Sequence, residues 1–269
     1  MRTVWLAMIV LTSRAAMAQE APDHATALAK RLQNRVSDLV SIPLQFNFNS
    51  GGGLGAQTWF ELRVQPFIPI HLTPDWRLIS RTIIPFLSLP TADGVRESGL
   101  GDIEEELMFS PVSDSHFTWG LGPRLSFPTA TIASIVTGSW AAGPVGVASW
   151  VGGPWVVGAL ASVDYTFAHS GHGPDLGSVL VQPLVNFNLG SGWSVLTTPM
   201  IAAHWVGDRE PRWIVPVGGG VAWTTKIGER PISLSIQYYY NVVRPDDDTT
   251  NLLRFVVTFL FPTATAKDR

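Results

Sequence analysis

Pro231-Ile232-Ser233-Leu234-Ser235-Ile236-Gln237-Tyr238-Tyr239-Tyr240-Asn241-Val242 is the stretch whose reading decides the fold. Ile232, Leu234, Ile236, Tyr238 and Tyr240 fall on one parity, and Ser233, Ser235, Gln237, Tyr239 and Asn241 on the other. Successive side chains of an extended chain point to opposite faces, so this is a strand with one greasy and one polar side. The same alternation recurs outward in both directions. Phe60, Leu62 and Val64 alternate with Glu61, Arg63 and Gln65. Phe117, Trp119, Leu121, Leu125 and Phe127 alternate with Thr118, Gly120, Gly122, Arg124 and Ser126. Val179, Val181, Val185, Phe187 and Leu189 alternate with Leu180, Gln182, Leu184, Asn186 and Asn188.

Twelve such segments can be placed: 39–49, 57–70, 75–88, 100–110, 116–128, 139–151, 155–168, 177–189, 193–206, 212–226, 232–243 and 251–261. They are about 10 to 15 residues long, where strands of soluble sheets average about 5–6 and tilted membrane-spanning strands need about 9–11. Length therefore points to a transmembrane antiparallel β-barrel of about 12 strands, an all-β fold. The connections agree. After the even segments come 71–74, 111–115, 152–154, 190–192 and 227–231; after the odd ones come 50–56, 89–99, 129–138, 169–176, 207–211 and 244–250. The even set is shorter on the whole, as periplasmic turns are, which puts both ends of the barrel on the periplasmic side.

A helical membrane protein is the rival reading, because residues 125–163 carry no charge. Pro128, Gly138, Gly143, Pro144, Gly146, Gly152, Gly153 and Pro154 interrupt that stretch too often for a spanning helix. Prolines also fall in the strand segments: Pro43, Pro66, Pro85, Pro123, Pro144, Pro183, Pro199 and Pro216. A proline removes a ladder donor, so these positions are expected at bulges or strand ends. Trp59, Trp76, Trp119, Trp140, Trp150, Trp155, Trp193, Trp205, Trp213 and Trp223 lie mostly near segment ends, where a membrane interface suits an indole.

Composition narrows the function classes. Only 14% of the 269 residues are charged, well below the roughly 25% of a soluble domain, while 10% are aromatic. That excludes disorder. With no cysteine, disulfides and Cys-ligated zinc or iron–sulfur centres are excluded. A net charge of −3 argues against nucleic acid as a partner.

The first residues read as an address. Met1 and Arg2 precede the apolar run Val4 to Leu11, and Ala16-Met17-Ala18 supplies a cleavage site, so 1–18 is expected to be a secretory signal peptide. Residues 19–38 form an N-terminal segment in which Leu28, Leu32, Val36 and Leu39 recur at helical spacing with Lys30, Arg31 and Arg35 between them. An amphipathic helix is expected there, lying under the barrel or folded into its mouth as a plug, with a floppy periplasmic arm as the alternative. The barrel is expected over 39–261 and a short tail over 262–269.

An ordered series of short motifs spans nearly the whole chain: Ala27-Leu28-Ala29-Lys30-Arg31-Leu32-Gln33-Asn34, Ser80-Arg81-Thr82-Ile83-Ile84-Pro85, Gly99-Leu100-Gly101-Asp102-Ile103 and Phe109-Ser110-Pro111. It continues with Trp119-Gly120-Leu121-Gly122-Pro123, Phe127-Pro128-Thr129-Ala130-Thr131, Gly143-Pro144, Gly153-Pro154-Trp155 and Phe261-Pro262. In these motifs the chain resembles the outer-membrane family named after the meta-pathway of phenol degradation, whose members are often labelled transporters. The resemblance implies an outer-membrane barrel with a transport role. Two departures stand out: the family usually has proline where Arg35 stands, and the tail after Pro262 is longer than usual.

If the apolar parity faces lipid, the other faces the lumen, because a charge on the lipid side near the midplane costs about 2–4 kcal/mol. The expected pore-lining residues are Glu61, Arg63, Gln65, Arg77, Arg81, Asp102, Glu104, Glu106, Arg124, Asp164, Gln182, Asn186, Asn188, His204, Arg212, Lys226, Gln237, Tyr239, Asn241 and Arg254. Salt-bridged rows are expected, with Glu61/Arg63 and Arg77/Arg81 facing Asp102/Glu104/Glu106. Twelve strands about 4.8 Å apart and tilted about 40° give a backbone diameter of roughly 24 Å, enough for a narrow passage. The reading is a passive channel for small solutes, aromatic or hydrophobic ones included, in the outer membrane of a Gram-negative bacterium. Its expected partners are outer-membrane lipid, the solute, and the barrel-assembly machinery during insertion. The alternatives are a structural or adhesin-like barrel with a filled lumen, and a barrel-embedded lipid hydrolase. No G-x-S-x-G elbow supports the latter, and no enzyme activity or cofactor is expected. His169, His172 and Asp175 in one loop, and Asp246-Asp247-Asp248 in another, read as solvated loop residues rather than metal ligands.

Overall fold

The computed structural model describes residues 24–52, 57–91, 94–113, 115–136, 138–170, 175–207, 210–228, 230–246 and 248–262. The expected leader at 1–18, the tail beyond Pro262, and His172 and Asp247 lie outside the described residues.

One helix, α1 (His24–Gln33), precedes the strands β1 (Leu39–Ser50), β2 (Trp59–Val64), β3 (Phe67–His71), β4 (Trp76–Pro90) and β5 (Arg96–Leu100). Then follow β6 (Ile103–Pro111), β7 (Phe117–Phe127), β8 (Ser139–Gly152), β9 (Trp155–His169) and β10 (Leu176–Gly190). The chain ends on β11 (Trp193–Thr197), β12 (Ile201–Val206), β13 (Arg212–Ile227), β14 (Arg230–Val243) and β15 (Asn251–Pro262). All fifteen belong to one antiparallel sheet. β2 with β3, β5 with β6, and β11 with β12 are each one interrupted stave, so the barrel has 12 staves. β15 returns to β1 in register from Leu39↔Pro262 to Ser50↔Asn251, which closes it. The expected segments meet these staves within a few residues: 139–151 against Ser139–Gly152, and 212–226 against Arg212–Ile227.

Closure leaves no unpaired edge, and the pleat then sorts the side chains. In β1, Ser41, Gln45, Asn47 and Asn49 are buried inside while Phe48 is exposed outside. In β14, Ser233, Gln237, Tyr239 and Asn241 are buried while Leu234, Ile236, Tyr238 and Tyr240 are exposed. The exposed face is apolar, and aromatic pairs bound it at both ends. At the short-turn end, Trp76 meets Trp119, Trp155 meets Phe187, and Trp193 stacks on Trp223 at 5.7 Å. At the long-loop end, Phe127 meets Trp140 and Tyr165 meets Trp205. A closed barrel with an apolar waist and two aromatic girdles is built for the outer membrane of a Gram-negative bacterium.

The prolines explain the irregular parts of the ladder. Pro66 separates β2 from β3, and Pro43 faces that break: β1 pairs β3 at Ser41 and resumes with β2 at Leu44. Pro85 lies opposite the break between β5 and β6, where the partner of β4 changes between Ile83 and Phe86. Pro123 falls in the gap between the pairs Glu106↔Arg124 and Phe109↔Leu121. Pro144 falls in the gap between Ala142↔Tyr165 and Val145↔Ser162. Pro199 separates β11 from β12, Pro183 faces that separation, and Pro216 sits at a register shift in β13. Each missing N–H thus sits where a neighbouring ladder is already interrupted, rather than only at strand ends. The backbones crowd at two of these gaps: a Cβ on Gly122 would stand 1.7 Å from the Leu107 carbonyl oxygen, and one on Gly143 1.6 Å from that of Val163. Only glycine fits.

Candidate functional site: the lumen

α1 docks at the short-turn end, the periplasmic end by the loop rule. Lys30 Nζ donates to the Gly153 carbonyl at 2.7 Å, the Gly192 N–H donates to Thr26 Oγ1 at 3.1 Å, and Gln33 exchanges hydrogen bonds with Asn188. The chain then turns into the barrel. Val36 is fully buried in an apolar cluster with Phe67, Ile79, Met108, Val145, Val147, Leu160 and Leu180. Asp38 forms an ion pair with Arg77. These contacts seat the segment in the short-turn mouth of the barrel as a plug. One side of the lumen is packed with apolar side chains around Val36.

The opposite side is open. An outer cavity of about 260 Å³ lies toward the long loops. Glu61, Arg63, Arg81, Glu104, Arg124, His204, Tyr239, Asn241 and Arg254 line it, together with Asn47, Asn49, Trp59, Met200 and Asp248. An inner cavity of about 110 Å³ lies against the plug, lined by Gln65, Arg81, Gln182, Asn186, Gln237 and Arg254 with Leu32, Arg35, Gln45 and Thr198. The two share Arg81, Met200 and Arg254. Between β11 and β12 the chain steps inward, so that backbone atoms of Thr198 meet the lumenal side chains. The Thr198 carbonyl accepts from Arg254 Nη1 at 3.2 Å, and its N–H donates to Tyr239 Oη at 2.8 Å. This step, with Met200, narrows the passage between the cavities.

The ion pairs differ in part from the expected rows. Arg81 and Glu106 do pair across β4 and β6, at 2.9 Å, and are 3% and 0% exposed. Glu61 pairs with Arg63 on its own strand at 2.7 Å. Arg124 bridges Glu104 at 2.8 Å and Asp164 at 3.3 Å. Arg77 pairs with the plug residue Asp38 rather than with the acids of β6, because the plug brings a carboxylate within its reach. Asp102 lies in the break between β5 and β6, accepts the Ala130 N–H at 2.9 Å, and lines neither cavity. Arg212 and Lys226 are exposed near opposite ends of β13 and line neither lumenal cavity. Arg212 borders a third cavity at the long-loop rim with His204, Glu210 and Asp248. His169 Nε2 lies within hydrogen-bond distance of Asp175 Oδ1, at 3.0 Å.

Several lumenal residues were absent from the sequence-derived set. Gln45, Asn47 and Asn49 share a parity against Leu44, Phe46 and Phe48, so their inward placement was readable. Thr198 and Met200 were marked only by Pro199. Arg35, marked in the sequence as a departure from the family's proline, stacks over the Phe67 ring at 5.0 Å. Burial, with Arg81 alongside, pushes its guanidinium down to about 9. On the outer surface, Glu105 accepts hydrogen bonds from Ser80 Oγ and Thr82 Oγ1, both at 2.6 Å. Its strand neighbours Glu104 and Glu106 point inward, so this carboxylate lies on the lipid side.

No family model matches the chain, and no curated protein matches it by sequence. Solved structures do. An outer membrane channel from Pseudomonas putida F1 superposes with a TM-score of 0.63 at 12% identity, over 84% of this chain and 97% of that one. The NanC porin superposes with a TM-score of 0.52 at 13% identity, over 82% of this chain and 98% of that one. At such identities the likeness is one of fold: an outer-membrane barrel.

Proposed function

We propose that this chain is a passive outer-membrane channel for small solutes and belongs with the transporters of the phenol meta-pathway family that its motifs resemble. The carrying observation is the pair of cavities between the long-loop mouth and the plug, whose walls share Arg81, Met200 and Arg254. Trp59, Ile83, Met200 and Leu252 line the outer cavity beside the charged groups, which suits solutes with an apolar body, aromatic ones included. The narrow step at Thr198 restricts passage to small molecules, and undocking of residues 24–38 completes the path at the periplasmic end. The sorting of apolar side chains to the outer face supports bilayer lipid as the surrounding partner, and a closed barrel of this kind calls on the barrel-assembly machinery for insertion.

Liposome swelling tests the reading. Vesicles carrying the refolded protein should swell in small aromatic acids and short polyols, and swell faster with a chain lacking residues 24–38. Vesicles that stay tight with both proteins, each shown to be a folded barrel, would instead establish a filled-lumen structural barrel. The apolar packing around Val36 is the observation that favours this second reading.

A further inference from the structure

The distribution of charge over the two cavities is uneven. The outer cavity is lined by carboxylates as well as arginines, Glu61, Glu104 and Asp248 among them. The inner cavity is lined by Arg35, Arg81 and Arg254 and by no carboxylate. The acids nearby are engaged elsewhere: Glu61 with Arg63, Glu104 and Asp164 with Arg124, Glu106 with Arg81, and Asp38 with Arg77. Among the described residues neither Arg35 nor Arg254 forms a salt bridge. Arg254 is 2% exposed, so its charge is buried with only neutral partners. Its Nε donates to Asn47 Oδ1 at 3.0 Å, and its guanidinium lies over the Tyr239 ring.

The three cations are held together. Arg35 and Arg81 both lie over the Phe67 ring, at 5.0 and 5.1 Å. From Arg81 a chain of side-chain hydrogen bonds runs through Gln65 and Gln45 to Asn47, and so to Arg254. Arg81 Nε is itself buried with no hydrogen-bond partner. A buried cation without a counter-ion is costly unless something negative arrives to pair with it. Burial, and then Arg81 beside it, likewise disfavour the charge on Arg35.

Resting on the channel reading, we propose that the inner cavity is a binding site for a small organic monocarboxylate. A carboxylate matches the guanidinium fork and takes two N–H donors at once. Leu184, Leu196 and Val256 give the wall an apolar patch that suits a hydrocarbon body, beside the amides of Gln182, Asn186 and Gln237. The volume of about 110 Å³ suits an acid of benzoate size rather than a sugar. Placed between the constriction and the plug, such a site would hold the solute at the last step before the periplasm and make the channel anion-selective.

Titration calorimetry on the refolded full chain in zwitterionic detergent, with benzoate as probe and benzylamine as its cationic counterpart, tests this. Benzoate should bind once per barrel and benzylamine should not. Arg254→Gln and Arg35→Gln should each weaken benzoate by about tenfold or more, the loss expected for a charged hydrogen bond. Arg254→Lys should retain part of the affinity, and heat-dependent gel migration certifies each variant as a closed barrel. Equal binding of benzylamine, no saturable benzoate binding, or unchanged affinity in folded Gln variants would overturn the site. Binding needs no conduction, so ion current through the same preparation separates the two readings. A barrel that binds benzoate and never conducts sinks the channel alone, and one that conducts and ignores benzoate sinks the site alone.

Discussion

Replacing Glu106 by glutamine keeps the side chain's shape and removes one buried charge, which makes it a clean perturbation of the lumen. The carboxylate is 0% exposed and its partner Arg81 is 3% exposed, with 2.9 Å between Oε2 and Nη1. Two unit charges about 4 Å apart interact by about 4 kcal/mol at an effective dielectric near 20. Removing one member of a buried pair typically costs about 3–5 kcal/mol, because the survivor is left uncompensated. Here Arg35 and Arg254 add further positive charge close by, with no free carboxylate to take over. We therefore expect Glu106→Gln to lose about 3–5 kcal/mol of barrel stability, and Arg81→Met combined with Glu106→Leu to recover most of that loss. Reversible urea unfolding of the refolded barrel in vesicles, followed by tryptophan fluorescence, measures both. A loss below about 1 kcal/mol, the range of solvent-exposed pairs, would show that water reaches the pair and that it is not buried as described.

Three further expectations follow from other contacts. Asp38→Ala removes the plug carboxylate from Arg77, so channel recordings should show shorter closed intervals; unchanged intervals would mean that the pair does not hold the plug. Docking lowers the Arg35 guanidinium from its ordinary value to about 9, so the docked form binds fewer protons and docking tightens as pH rises above that value. Ion current should fall as pH rises above about 9 in the parent and stay level in Arg35→Met, and a parent current that rises over that range would reverse the sign assigned here. Glu105→Leu removes a lipid-side charge and should raise barrel stability by about 1 kcal/mol in urea unfolding; a loss instead would show that the Ser80 and Thr82 hydroxyls more than offset its exposure to lipid.

The barrel was legible because its physics is written locally. Alternation such as Ile232-Ser233-Leu234-Ser235-Ile236 assigns each side chain to a face without knowledge of any other strand, and the turn lengths then give the order. Inward placement of Glu61, Arg81, Glu106 and Arg124 followed from the same parity. Other features depend on contacts distant in sequence. The pairing of Arg77 with Asp38 required knowing that the plug enters the lumen, and the helical spacing of Leu28, Leu32 and Val36 fits a plug and an arm equally well. Val36 in the apolar cluster was hidden for the same reason: interior strand positions such as Ile79, Met108 and Leu160 read as exceptions to parity until something apolar is seen to cover them. Lys226 and Arg212 shared the inward parity but sit near the strand ends, and parity carries no information about height. Glu105 on the lipid-side parity escaped notice because the hydroxyls that hold it, on Ser80 and Thr82, belong to a neighbouring strand.

The most direct test of the central claim is the electrical one. The refolded full chain, inserted into a planar bilayer between equal potassium chloride solutions, should give discrete, repeated openings of small unitary current, larger or longer-lived when residues 24–38 are removed. A protein that inserts, migrates as a heat-sensitive folded barrel and passes no current with or without that segment would contradict the account.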